Sequence, residues 1–79
     1  MQIHVIKPLV ETYSLEELAS ADAALAEGLE PEIDVPGNDE GEKLTHVYAA
    51  MWIKERMEKG DGFRKALRAY TQKVRKSVD

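Results

Sequence analysis

The stretch Gly41–Gly60, GEKLTHVYAAMWIKERMEKG, decides the fold of this chain. Inside it, seven apolar residues follow one another from Val47 to Ile53. The stretch is predicted to be a helix, because Asp39 and Glu42 form a capping pattern at its start and Gly60 stands at its end. A surface helix carries one apolar stripe, whereas a helix that is apolar on most sides is buried. We therefore expect neighbouring helices to cover it, and we favour a seam with a second copy of the chain for part of its surface.

Two further helices flank this stretch. Ser14 with Glu17 forms a capping box, and Gly28 stands where a C-terminal cap belongs, so a helix is predicted between them. Beyond Gly60, Asp61 caps a last helix whose apolar residues keep helical spacing. The predicted fold is all-α, a small bundle of three main helices in which the last two form an antiparallel hairpin at the C-terminus.

The first 13 residues can be interpreted in two ways. Pro8 opposes a helix running straight through it but suits a first helical position, so a short helix from about Pro8 to Tyr13 is one prediction. Alternatively, QIHVI near the N-terminus and EIDV at Glu32–Val35 alternate polar and apolar residues and could pair as a minor β-ribbon. The alternation alone does not choose between helix and strand.

The length and composition of the chain set limits on its function. Its 79 residues form one small domain, residues 1–79, with no cysteine. Disulfides, thiolate metal sites and thiol catalysis are therefore excluded. The apolar run is far shorter than the ~20 residues of a membrane span, and the N-terminus lacks the pattern of a signal peptide. A cytoplasmic protein is expected, and a domain this small often gains stability by self-association.

Charge is unevenly distributed along the chain. Up to Glu42 there are eleven acids and one base, whereas from Lys43 onward there are ten bases and four acids. We expect the acidic half to fold against the basic half, or two chains to meet acid to base. The alternative is a nucleic-acid accessory factor, which the negative surrounding field disfavours. Its binding surface would be the basic face of the last helix, formed by Arg64, Lys65, Arg68, Lys73 and Lys76.

His46 is the centre of a third hypothesis, a small metal-binding protein or enzyme. Glu42 and His46 are four residues apart and could both reach one metal ion. A useful site needs three or four ligands, however, and His4 is the only other imidazole. We favour the simpler explanation of this spacing, in which Glu42, an acid in the first turn of the helix, pairs with His46. No catalytic, cofactor or metal residue is therefore assigned, and the chain is not predicted to be an enzyme.

Two segments, EGEKLTHVYAAMWI and LRAYTQKVRKS, resemble a family of short, uncharacterised Bacteroidetes proteins described as a domain of unknown function. The resemblance extends over nearly the whole chain, and the family has no assigned activity or functional residues. It implies a bacterial protein encoded near thioredoxin and peroxiredoxin genes, and so an accessory partner of redox proteins. Because the chain has no cysteine, it could serve them only by docking.

The leading hypothesis is a cytoplasmic, non-catalytic protein–protein interaction module that forms a homodimer and uses no cofactor. Tyr48, Met51 and Trp52 are the predicted interface residues, because large aromatic residues and Met are enriched at interface centres. Nucleic-acid binding and a site around His46 remain the two alternatives.

Overall fold

The computed structural model describes the backbone of residues 3–78 and the side chains of residues 4–75. This part of the chain is helical and contains no strand, which confirms the predominantly all-α prediction. None of its helices combines the length and apolar character needed to cross a membrane. The four helices are α1 (Ile3–Thr12), α2 (Leu15–Ala26), α3 (Glu40–Glu58) and α4 (Phe63–Val78).

Side-chain caps fix the starts of α2 and α3. The Ser14 hydroxyl accepts a hydrogen bond from the Glu17 backbone N–H at 3.1 Å, and the Glu17 carboxylate accepts one from the Ser14 N–H at 3.0 Å. At the start of α3, the Asp39 carboxylate accepts from the Glu42 N–H at 2.8 Å. These are the caps predicted from sequence, and they satisfy backbone donors that have no partner inside the helix. Gly60, with a φ of 110°, follows α3 in a conformation that favours glycine.

Helix α1 confirms the helical alternative for the N-terminal segment, but it is longer than predicted. It begins at Ile3 and continues through Pro8, so the predicted start at Pro8 is wrong, and residues 32–35 form no ribbon. An interior proline removes one helical hydrogen bond and costs about 3 kcal/mol. Three buried side chains offset that cost, because burying a large aliphatic side chain is worth roughly 1.5–3 kcal/mol. They are Ile6, Leu9 and Val10, all facing the core while Pro8 is exposed.

Helix α3 is the centre of the molecule. Its backbone lies close to those of α1, α2 and α4, whereas within the described residues the backbones of these three helices do not lie close to one another. Val47, Ala49, Ala50 and Ile53 are buried in this way. The apolar run is thus mostly ordinary core, because three helices cover α3 and not only the two predicted ones. The part of the run that remains accessible is Tyr48, which is exposed, and Met51 and Trp52, which are half-buried.

Two long-range contacts attach the periphery to α3. The Lys54 ammonium donates a 2.8 Å hydrogen bond to the Val10 carbonyl in the last turn of α1. Near the start of α3, His46 Nδ1 lies 2.9 Å from the Pro36 carbonyl oxygen and donates to it. That bond and the burial of Val35 hold the segment between α2 and α3 against the core.

Candidate interaction surface

One side of α3 is left open between α2 and α4. The backbones of these two helices do not lie close to each other in the described residues, and a groove of about 400 Å³ lies between them. Tyr48 is 46% exposed in this groove. We call this site the open groove; its lining residues are Asp22, Ala26, Leu44, Thr45, Tyr48 and Tyr70.

Three aromatic rings form a cluster at the edge of the groove. The Tyr70 ring centre lies 6.4 Å from that of Tyr48 and 5.6 Å from that of Trp52, both in tilted arrangements. Such tilted pairs are a favoured geometry for aromatic side chains. Burial raises the pKa of Tyr70 above its ordinary value of 10.0, and Tyr48 adds to this effect while Lys73 opposes it. We call Tyr48, Trp52 and Tyr70 the aromatic cluster.

Two cations hold the rings of the aromatic cluster in place. The Lys73 ammonium lies 5.3 Å from the Tyr48 ring centre and 5.6 Å from that of Trp52, and it donates a 3.0 Å hydrogen bond to the Tyr48 hydroxyl. The Arg56 guanidinium lies 5.5 Å from the Trp52 ring centre. Each such contact is worth about 0.5–1 kcal/mol at an exposed site. These contacts therefore restrain the aromatic side chains.

The aromatic cluster also connects the open groove with a second depression. This depression has a volume of about 340 Å³ and lies between α3 and α4. Trp52 is a member of the aromatic cluster and also lines this depression, as does Lys73, which contacts the cluster. Apolar and cationic surface therefore continues from the cluster into the depression. The residues lining it are Trp52, Arg56, Ala69, Gln72 and Lys73.

The predicted interface residues occupy different positions. Tyr48 lies at the surface of the groove, Trp52 is half-buried against Tyr70, and Met51 is half-buried against the core. Tyr70 was not among the interface residues predicted from sequence, and Lys73 was predicted only as part of the basic face. Tyr70 is an aromatic residue in the middle of α4 and could have been considered as an interface residue. Its distance from Tyr48 and Trp52, however, depends on how α4 is aligned on α3.

The outer face of α2 continues the apolar surface. Ala19, Ala23 and Ala26 are spaced by four and three residues, lie on one side of the helix, and are all exposed. Leu29, just beyond the helix, is 59% exposed. Alanine side chains are short, so another helix could approach the α2 backbone closely along this face.

The basic face lies on α4, where Arg64, Lys65, Arg68 and Lys73 are exposed. The fifth predicted residue, Lys76, has a side chain outside the described residues. Lys65 and Arg56 both form ion pairs with Asp61, at 3.4 Å and 3.0 Å. Although desolvation opposes the effect, these two cations lower the pKa of Asp61 below its ordinary value of 3.8.

Both of these ion pairs lie within the basic half of the chain. The acidic helix α2 contacts α3 but not α4 in the described residues. The charge distribution led to two expected arrangements. The structure does not show the first of them, in which acidic α2 packs directly on basic α4 within one chain.

His46 occupies the core and not an exposed site. Its side chain is only 3% exposed, and its hydrogen bond goes to Pro36, ten residues earlier. Among the described residues it does not pair with Glu42, so that expectation is wrong. Within the same residues, no three His, Cys, Asp or Glu side chains are grouped so that they could hold a metal ion. The geometry gives His46 a structural role in holding the α2–α3 segment.

Comparison with known proteins gives a family without an assigned function. A family model described as "Family of unknown function (DUF6952)" matches residues 1–79. No curated protein and no solved structure matches the chain. The function must therefore be inferred from the residues themselves.

Proposed function

We propose that this chain, which belongs to the family of unknown function DUF6952, is a non-catalytic protein-interaction module. It binds its partner through the open groove and the aromatic cluster. The observation that carries the proposal is the exposure of Tyr48 within an ordered group of rings and cations.

Aromatic residues in this setting suit protein binding. Tyr and Trp supply a large contact area at a small cost in side-chain entropy, because each has only two rotatable angles. The contacts of Tyr48 with Tyr70 and Lys73 lower that cost further, because the ring is already positioned. Isolated exposed apolar residues are common, but contiguous ones mark interaction sites. Here Leu44, Tyr48 and Ala26 line the same groove.

The setting we propose is a bacterial cell, as the family resemblance implies, and within it the cytoplasm, as expected from the sequence. A redox protein is one class of partner that the same resemblance suggests. Because the chain contains no cysteine, its contribution to such a partner would be docking and not electron transfer through thiols.

A position-specific crosslinking experiment tests the proposed surface. A photoreactive phenylalanine analogue is placed at Tyr48 in one variant and at Glu11, exposed on α1 away from the groove, in the control. The protein is then irradiated in its native host. We expect a discrete protein adduct at position 48 that is absent at position 11 and is lost when Lys73→Glu is added. Equal labelling at both positions, or none at position 48, would refute the proposal.

A further inference from the structure

We infer that the partner on the open groove is a second copy of this chain, with the acidic α2 of each copy lying on the basic α4 of the other. The two copies are related by a two-fold axis that runs along α3. This inference rests on the proposed function, because it names the occupant of the same surface.

The charges of the two groove walls carry the inference. Helix α2 contains Glu16, Glu17 and Asp22 and no base, while α4 contains six bases and no acid. The two helices border the groove on α3, and their backbones do not lie close to each other within the described residues. Of the acids of α2, Asp22 lines the groove, whereas Glu16 and Glu17 line a separate depression beside Glu32. On the α4 side, Lys73 reaches the groove through its contacts with Tyr48. A second copy presents the same acid and the same base.

Symmetry leaves two simple ways to join such faces. When the two-fold axis runs along α3, each α2 lies over the partner's α4. When the axis runs across α3, each α2 lies over the partner's α2 and each α4 over the partner's α4. Like charges facing each other across an interface oppose binding, whereas opposite charges favour it and fix the orientation. The charge distribution therefore selects the axis along α3, in the closed two-fold arrangement that is commonest among homo-oligomers.

The shape of the surface fits this arrangement. The Tyr48 side chains of both copies come near the axis, so the apolar surface of the groove lies at the centre of the interface. Ala26 and Asp22 lie on the α2 side of the groove, where the short alanine side chain lets the partner's α4 approach closely. An apolar, aromatic centre with a charged rim is the usual anatomy of a protein interface. Self-association also suits a small domain that has no disulfide to stabilise it.

Two charge-reversed variants test the inference by sedimentation equilibrium. Asp22→Lys makes both walls basic, and Lys73→Glu removes positive charge from the α4 wall. Wild type should approach twice the chain mass of 8.9 kDa as concentration rises. Each variant alone should dissociate more readily, with Kd raised about tenfold or more, because both symmetric contacts lose attraction. Circular dichroism checks that both variants keep their helices.

The decisive sample is an equimolar mixture of the two variants. In the mixed dimer, the lysine introduced by Asp22→Lys in one chain faces the glutamate introduced by Lys73→Glu in the other. At the second symmetric contact, the unchanged Lys73 of the first chain faces the unchanged Asp22 of the second. The mixture should therefore dimerise about as well as wild type, a rescue that no contact within one chain could produce. The axis along α3 is wrong if the mixture dimerises no more tightly than either variant alone. It is also wrong if Asp22→Lys pairs with wild type more tightly than wild type pairs with itself.

The outcomes separate the inference from the proposed function. A wild type that stays at 8.9 kDa at every concentration rules out the second copy. If position 48 nevertheless forms a discrete adduct with a different protein, the interaction module stands and only its partner changes. If position 48 forms no adduct either, both proposals fail.

Discussion

Replacing Trp52 with alanine should destabilise the folded chain more than replacing Tyr48. A fully buried Trp→Ala change costs about 3–5 kcal/mol, and Trp52 is half-buried, so the packing loss is about 2 kcal/mol. The Tyr70 ring at 5.6 Å and the two nearby cations bring the total to about 3 kcal/mol. Tyr48 is 46% exposed and 6.4 Å from the same ring, so Tyr48→Ala should cost about 1 kcal/mol.

Urea titration followed by circular dichroism measures both values. It is run at the lowest workable protein concentration, because association would add to the apparent stability. A domain of this size has roughly 4–12 kcal/mol of stability, so Trp52→Ala should still fold. The midpoint of thermal unfolding should fall by about 12–24 °C. A loss of stability below about 1 kcal/mol for Trp52→Ala, or a larger loss for Tyr48→Ala, would refute the described packing of the aromatic cluster.

Three further changes test the fold and the charges. Lys54→Met should lower the free energy of unfolding by about 1–2 kcal/mol, because it removes a charged donor from the end of α1, while exposed Lys59→Met should change it little in the same urea assay. The pKa of Asp61 in the folded chain is below its ordinary value of 3.8, so its ionised carboxylate stabilises the fold above that pH. This stabilisation is lost as the pH falls through the folded-state pKa. Thermal unfolding of Asp61→Asn should therefore depend less on pH below about 4 than that of wild type, and an unchanged acid profile would contradict the ion pairs. Wild type should show no sub-micromolar DNA or RNA binding at physiological salt in a gel-shift titration, and tight binding with a steep salt dependence would promote the nucleic-acid alternative.

Local signals made most of the helices predictable. The capping pairs at Ser14 and Asp39 act within three residues, so they fix the starts of α2 and α3 whatever surrounds them. Helix α1 was harder to predict, because the local penalty of Pro8 is visible in sequence while the compensating burial of its neighbours is not. The number of helices covering α3 was underestimated for the same reason, since an apolar run shows that a segment is buried but not by what.

The candidate surface was only partly predictable. Tyr48 and Trp52 are four residues apart on one helix, so their proximity follows from helical geometry. Tyr70 and Lys73 join them only through the alignment of α4 on α3, which helical periodicity within either helix does not fix. The contact between His46 and Pro36 was also missed, because Pro36 lies in a segment without periodic structure.

The most direct test of the dimer across the open groove is a dilution series followed by amide chemical shifts in ¹H–¹⁵N NMR spectra. Shifts that change with concentration should map to the residues around the groove, including Ala26, Thr45, Tyr48 and Lys73. Residues on the exposed side of α1, such as Glu11, should not move. Spectra that stay identical over the whole concentration range, or changes concentrated on α1, would contradict the account.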